Sequence, residues 1–152
     1  MTSEGTHLDP ENWDEFSDDM HKLMDQCLAR MKQARDLPWQ PKPSDLADRL
    51  SLQDSATGVG SAHSLGQLAN DIMPYATGNT HPKFFGWVHG AGLPVSVGAE
   101  LVAATMNSNC GGRDHGAIEV ERATLDWLLG VSGMPDTASA ILTTGTSQAT
   151  IL

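Results

Sequence analysis

Basic residues are scarce in this chain, and their scarcity already limits its partners. Nine Lys and Arg stand against nineteen Asp and Glu, which gives a net charge of −10. Proteins that bind nucleic acid neutralise phosphates with clustered Lys and Arg, whereas the basic residues here are scattered. No apolar run approaches the roughly 20 residues that span a bilayer. We therefore expect neither nucleic acid nor a membrane as a partner.

Cysteines and targeting signals are equally sparse. Cys27 and Cys110 are the only cysteines, and they lie far apart in segments of different kinds. Residues 1–9 lack the basic and apolar regions of a secretory signal. These features favour reduced thiols and a cytoplasmic location. The spacing of the histidines and cysteines fits no compact zinc pattern, so we predict no metal site.

The first half of the chain is rich in helix-forming sequence. Asp9-Pro10-Glu11 is typical of a helix start, with Asp9 as the predicted N-cap and Pro10 at the first helical position. Apolar residues then recur on one stripe at helical spacing. The pattern predicts an amphipathic helix of about seven turns that ends before Pro38, with a second subunit as a candidate partner for its apolar stripe. Shorter helices are predicted over 45–50 and from Ser64 to Pro74. The stripe consists of Trp13, Phe16, Met20, Leu23, Met24, Cys27, Leu28 and Met31.

The second half alternates Gly-rich segments with helices. Residues 81–92 form an aromatic run interrupted by glycines, which disfavours a long helix. A helix is predicted to open at Pro94 or Ser96, with its buried side on Leu101, Val102 and Met106. After the polar segment 107–116, another helix is predicted over 117–131, and Ile118, Leu125, Leu128 and Leu129 are its expected buried side.

The last residues, 140–152, are read as a short strand, a turn of small residues and the start of a helix. Backbone N–H groups at a helix N-terminus have no intrahelical partner, and the helix dipole favours an anion there. The turn is therefore a candidate phosphate site. The alternative is an ordinary strand-to-helix connection in which Ser and Thr cap the helix. Because the sequence stops inside this helix, we expect it to be the front part of a longer protein.

Three blocks of sequence, in order, carry a resemblance to a known family. They are His81-Pro82-Lys83-Phe84-Phe85-Gly86, then Glu119-Val120-Glu121 leading to Asp126-Trp127-Leu128, and finally the segment 143–150. The last block is similar to the family's Gly-Gly-Thr-Glu-Ala-Asn or Ser-Ala-Ser-Glu-Ala-Thr turn. Together the blocks resemble the pyridoxal-phosphate-dependent group II decarboxylases that act on glutamate and aromatic amino acids.

This resemblance implies an α/β, type I aminotransferase-like fold, of which the chain holds only the N-terminal helices and the start of the large domain. Residues 1–78 would be a helical dimerisation arm of a homodimer, and 79–152 the truncated start of the domain that binds pyridoxal 5'-phosphate. The implied phosphate-binding residues are Gly145, Thr146 and Ser147. The implied substrate-pocket residues are Trp87, Val88 and His89, with Asn107 and Asn109 directed to the neighbouring protomer, and Arg113 and His115 as polar groups.

The chain departs from the family in three respects. The family's Schiff-base lysine is expected beyond Leu152, so we predict no catalytic residue in this chain. The His21-Lys22 dipeptide lies on the N-terminal helix, away from the context that the family requires. Gln148 replaces an acid that is common in the last block. The segment 107–115 is more polar than an aromatic pocket, and its Arg113 suits a substrate carboxylate.

Three functions follow as hypotheses. The first is an amino-acid decarboxylase whose small-molecule substrate reacts through the cofactor. The second keeps the cofactor but changes the outcome to deamination, aldehyde formation or another lyase reaction. The third is a non-catalytic helical dimerisation fragment. In each case we expect the isolated chain to be inactive.

Overall fold

The computed structural model of the chain describes residues 9–50, 58–88, 90–109 and 114–151. Every regular element within these ranges is helical. The chain divides into two compact units, Met1–Val97 and Gly98–Leu152. A π-helical turn (Leu68–Ile72) and a 3-10 turn (Met73–Tyr75) follow the third helix. The α-helices are α1 (Trp13–Lys32), α2 (Leu46–Arg49), α3 (Ser61–Gln67), α4 (Pro94–Met106), α5 (Gly116–Val131) and α6 (Thr146–Ile151).

Helix α1 begins later than the sequence predicts. Its N-cap is Asn12, whose Oδ1 accepts hydrogen bonds from the amides of Asp14 at 3.1 Å and Glu15 at 3.3 Å. The prediction that Asp9 is the N-cap is wrong, because Asn12 satisfies the first amides of the helix. At the other end, Gln33 is the C-cap. The helix therefore has 20 residues and is shorter than predicted.

A buried carboxylate joins α1 to α3 in the first unit. Asp19 is only 5% exposed, and it accepts a hydrogen bond from Ser61 Oγ at 2.7 Å and one from Lys22 Nζ at 3.2 Å. The Ser61 hydroxyl holds the pKa of this carboxyl below its ordinary value, against the opposing effect of burial and with a smaller contribution from Lys22. This ionised side chain is consequently paired on both helices.

The third helix starts and ends differently from the prediction. It begins at Ser61 rather than Ser64, and Ser64 instead donates its hydroxyl to the Gly60 carbonyl at 3.0 Å. Its last part becomes the π-helical turn, which directly precedes Met73-Pro74. Proline has no N–H, and its ring displaces the carbonyl four residues earlier. This accounts for a helix that widens into a π-helical turn and gives way to a short 3-10 turn at Pro74.

Helix α2 is anchored to the end of α3. Leu46 is buried, and the guanidinium of Arg49 forms ion pairs with Asp71 and, at 3.5 Å, with Asp45. Gln67 Nε2 donates to the Arg49 carbonyl at 2.9 Å. The short helix predicted over 45–50 is thus confirmed, with Leu46 and Ala69 as the buried apolar residues of this unit among those that the structure describes.

Gly78 packs against Trp39, which lies in the proline-rich segment 37–43. Its φ is +78°, and a Cβ atom at this position would lie 3.0 Å from the Cβ of Trp39. The Gly78 carbonyl accepts the amide of His81 at 3.0 Å, and Gln40 Nε2 donates to the Pro74 carbonyl at 3.4 Å. Glycine fits here because it adopts a positive φ without strain and has no Cβ atom to crowd Trp39.

From Pro94 onward the predicted helices α4 and α5 form, but the side chains predicted to be buried are not. None of the described residues after Gly98 is buried. The expectation that Leu101, Val102 and Met106 are buried is wrong, since all three are exposed, Val102 by 58%. In α5, Leu128 is exposed as well. These helices have apolar faces without a covering layer in the described chain, and such faces mark contact surfaces.

The strand predicted before the final turn is absent. Residues 138–143 have no regular secondary structure, whereas the predicted helix start after the turn is confirmed as α6. A strand requires a neighbouring strand to share its hydrogen bonds, and the described residues supply none. The architecture of the described residues is therefore helical, and they form no α/β sheet.

Candidate cofactor and substrate site

The terminal turn is held by two sets of side-chain hydrogen bonds. Gln148 Oε1 accepts from the Thr144 amide at 3.1 Å and from Thr144 Oγ1 at 2.9 Å. Thr143 Oγ1 donates to the Gly145 carbonyl at 3.2 Å, and the same carbonyl accepts the Ala149 amide at 3.1 Å. The Gly145 carbonyl therefore accepts a backbone hydrogen bond of the first turn of α6.

The three predicted phosphate residues lie at this helix start and are exposed. Thr146 and Ser147 are the first two residues of α6, so their amides have no acceptor within the helix. A Cβ atom at Gly145 would meet nothing within 4 Å. The turn therefore offers amides and hydroxyls in open space, an arrangement that suits an anion with several oxygens.

An aromatic loop occupies residues 79–90 of the first unit. Asn79 Nδ2 donates to the Gly90 carbonyl at 3.3 Å and ties the two ends of the loop together. Inside the loop, His81 Nδ1 accepts the Lys83 amide at 3.1 Å. A Cβ atom at Gly86 would lie 2.8 Å from the Phe84 ring. Glycine is therefore required where the backbone passes over this ring.

Two predicted pocket residues, Trp87 and Val88, project from this loop. Trp87 has a left-handed backbone with φ of +53°, and its ring packs edge-on against Phe84 at 5.9 Å. It is 77% exposed, and Val88 is fully exposed. A bulky residue in this conformation is strained, and such strain collects at functional sites. The predicted pocket residue His89 lies outside the described residues.

The polar segment after α4 contains a second residue with a left-handed backbone, at a helix end where asparagine is well tolerated. Asn107 has φ of +43°, and its amide donates to the Ala103 carbonyl at 3.1 Å. Asn107 and Asn109 are both exposed. Trp87 and Asn107 are the two residues other than glycine with positive φ in the described ranges, and both belong to the predicted pocket. Arg113 lies outside the described residues.

His115 is the N-cap of α5 and has an unusual environment. Its backbone is extended, and its carbonyl accepts the Ile118 amide at 3.1 Å. Both ring nitrogens, Nδ1 and Nε2, are buried without a hydrogen-bond partner. Buried polar atoms are nearly always paired in folded proteins. The His115 imidazole is therefore an exception to this rule.

The predicted site residues divide between the two compact units. Trp87 and Val88 belong to the first unit, and Asn107, Asn109, His115 and the terminal turn belong to the second. His21-Lys22, the dipeptide that imitates the family's lysine motif, lies in the middle of α1, where the His21 ring bonds to the Ser17 carbonyl through Nδ1 at 2.7 Å.

Sequence reasoning missed the role of two residues in this site. Gln148 was considered only as the replacement of an acid, yet it organises the turn. The signal that indicates this role is the spacing of a Thr before a helix start and a Gln in its first turn, which resembles a capping box. Gly86 has no such signal, because its requirement depends on where the Phe84 ring lies.

Across the described ranges, no three His, Cys, Asp or Glu side chains are grouped so as to hold a metal ion. Among the helices of those ranges, none has the length and apolar character to cross a membrane. Comparisons with protein-family models, with curated proteins and with solved structures gave no match.

Proposed function

We propose that this chain is the N-terminal part of a pyridoxal-phosphate-dependent carboxy-lyase that decarboxylates an amino acid. The observation that carries the proposal is the terminal turn, where open amides at Thr146 and Ser147 follow a glycine with free space around it. This turn stands in the sequence block that resembles the family's phosphate turn. The two upstream blocks support the same assignment.

The residues present are compatible with the cofactor. Its phosphate would be held by Gly145, Thr146 and Ser147, whose exposed position leaves room for a group of that size. When bound, the cofactor supplies an electron-accepting ring for the bond that loses carbon dioxide.

The chain's own residues would bind and enclose rather than react. The exposed side chains of Trp87 and Val88 give the loop an apolar surface that can exclude water from a substrate. Asn107 and Asn109 offer amide groups, and Arg113 suits a substrate carboxylate. The lysine that anchors the cofactor would lie beyond Leu152. The chain alone would therefore be inactive.

The α/β fold and the homodimer belong to the same proposal. Residues 138–143, which precede α6, would become a strand when further strands of the large domain stand beside them. The uncovered apolar faces of α4 and α5 would pack in that domain or against the second protomer of the dimer. The protein would act in the cytoplasm on a small-molecule amino acid.

Two alternatives are distinguished by products and by the cofactor. A deaminase or aldehyde synthase of the same fold would release ammonia or an aldehyde instead of carbon dioxide alone. A non-catalytic dimerisation fragment would bind no cofactor. The extensive exposed apolar surface of the second unit fits the fragment alternative as well, so cofactor binding is the decisive property.

The test removes the amide and the hydroxyl of Thr146 from the turn without disturbing the helix. Proline is well tolerated as the first helical residue, so Thr146→Pro deletes an N–H that α6 does not use together with the side-chain hydroxyl. In the full-length protein we expect cofactor binding to weaken at least about tenfold, because up to two hydrogen bonds to a charged group are lost. Helix content by circular dichroism should be unchanged. Equal cofactor affinity in the variant and the wild type would contradict the phosphate assignment.

A further inference from the structure

The proline-rich segment 37–43 of the first unit plays no part in the proposed function. It has no regular secondary structure, and every residue in it except Trp39 is either a proline or directly precedes one. Proline fixes its own φ at about −65° and restricts the residue before it to an extended backbone. The sequence of the segment therefore favours a polyproline II helix, which has three residues in each turn.

This segment is attached to the first unit along one edge and exposed along another. Leu37 and Pro43 are half-buried, and Gln40, midway between them, donates from Nε2 to the Pro74 carbonyl at 3.4 Å. Pro38 and Pro41 are exposed. Because residues three apart share an edge of a polyproline II helix, the attached residues and the exposed prolines lie on different edges. The segment consequently presents two prolines away from the first unit.

Arg35 extends the exposed series of prolines by one more step of three residues. It lies in the turn after α1 and is exposed. Among the ion pairs of the described residues, none involves Arg35. The order Arg35-x-x-Pro38-x-x-Pro41 thus places a guanidinium, available for a carboxylate of another molecule, ahead of two exposed prolines.

We propose that Arg35, Pro38 and Pro41 form a docking site for a partner protein that has an aromatic-lined groove of the SH3 type with a carboxylate beside it. Such grooves bind segments with two prolines spaced by two residues, because a preformed polyproline II helix loses little conformational entropy on binding. This inference goes beyond the proposed function, and its failure leaves the carboxy-lyase proposal unaffected.

The alternative is a rigid connector between α1 and α2 that binds no partner. Both roles need prolines, but only docking depends on the register of the side chains. Lys42 is exposed like Arg35 but stands outside the series of three. Pro43 is likewise out of register with Pro38 and Pro41. Matched substitutions inside and outside the series therefore separate the two roles.

The experiment titrates the full-length protein with a panel of purified SH3 domains that select Arg-x-x-Pro-x-x-Pro ligands, by isothermal titration calorimetry at low and at high salt. Arg35→Glu and Pro41→Ala are the test variants. Lys42→Glu is the control for the change of charge, and Pro43→Ala is the control for the loss of a proline ring. The Pro43 carbonyl, which accepts the Leu46 amide at 3.2 Å, remains in that control. The urea midpoint of every variant is measured separately.

We expect the wild type to bind at least one domain of the panel with a Kd below about 1 mM. Pro41→Ala should weaken this binding about tenfold, because the apolar contact of the ring is lost. Arg35→Glu should weaken it about fivefold at low salt and less at high salt, as a screened ion pair does. Lys42→Glu and Pro43→Ala should bind like the wild type.

Three results would overturn the docking site. The first is a wild type that binds no domain of the panel. The second is equal weakening by Arg35→Glu and Lys42→Glu, which would show a general effect of charge. The third is a Pro41→Ala variant that has a lower urea midpoint but unchanged affinity, which would make the segment a rigid connector. If Pro41→Ala does not fold, the comparison of the two charge reversals decides.

Discussion

The contact between Gly78 and Trp39 gives a sharp test of how the first unit is built. Gly78 has φ of +78°, a conformation that costs an L-residue about 1–2 kcal/mol. Its substitution by alanine also puts a methyl group 3.0 Å from Trp39 Cβ, 3.5 Å from Cα and 3.7 Å from Cδ1. Overpacking of this kind adds about 1–3 kcal/mol. Gly78→Ala should therefore lower the free energy of unfolding by about 2–5 kcal/mol.

Gly92→Ala provides the matched control. Gly92 has a nearly equal φ of +72°, but a Cβ atom there meets nothing within 4 Å. This variant should lose only the conformational part, about 1–2 kcal/mol. In a Trp39→Gly background, which lacks the crowded Cβ, the cost of Gly78→Ala should fall to the same level, so the double-mutant cycle isolates the contact.

The assay is urea unfolding of the full-length protein, followed by far-ultraviolet circular dichroism. Equal losses for Gly78→Ala and Gly92→Ala would refute the role of Trp39, since the two glycines differ mainly in that neighbour. A Gly78→Ala variant with the same free energy of unfolding as the wild type would also refute the left-handed backbone at position 78.

Two further predictions concern charge and exposed apolar surface. The pKa of Asp19 is lowered, chiefly by the Ser61 hydrogen bond, so its stabilising contribution is complete above the ordinary carboxyl pKa and is lost as pH falls through the lower folded value. The urea midpoint of the wild type should therefore drop between pH 6 and pH 3, and Asp19→Asn should remove part of that drop. An identical drop in both proteins would contradict the role of the Asp19 carboxylate. Val102 is 58% exposed on α4, so the chain expressed alone should bind a hydrophobic dye, and Val102→Lys should reduce the fluorescence without changing helix content. An unchanged signal would show that α4 is not the exposed surface.

Much of the helical architecture could be predicted because local signals decide it. Pro94, Gly133 shortly after the last helical residue and the apolar period of α5 give the correct positions of α4 and α5. The start of α1 could not be decided in this way. Asp9 and Asn12 are both good N-caps by residue type, and only the reach of Asn12 Oδ1 to two amides distinguishes them.

Burial was the weaker part of the prediction, for a physical reason. An apolar stripe shows which face of a helix is suited to packing, but it does not show whether a partner surface is present. Leu101, Val102 and Met106 have the pattern of a buried side and are exposed. Conversely, the buried polar residue of α1 is Asp19, which is not part of the apolar stripe. Ser61, 42 positions away in the sequence, pairs with it.

The candidate site was located by sequence, but its internal bonding was not. The turn of small residues before a helix was predicted from Gly145 onward and the helix is confirmed. The hydrogen bonds of Gln148 depend on a side-chain conformation that no residue pattern determines. The same holds for the unpaired nitrogens of His115, which depend on what surrounds the ring.

The measurement that tests the central claim most directly is covalent trapping of the cofactor in the full-length protein. The protein is loaded with pyridoxal 5'-phosphate, reduced with borohydride, digested and analysed by mass spectrometry. The account predicts one labelled lysine beyond Leu152 and no label at Lys22, which lies within α1. A protein that carries no label, or whose main label is at Lys22, would contradict the proposed carboxy-lyase.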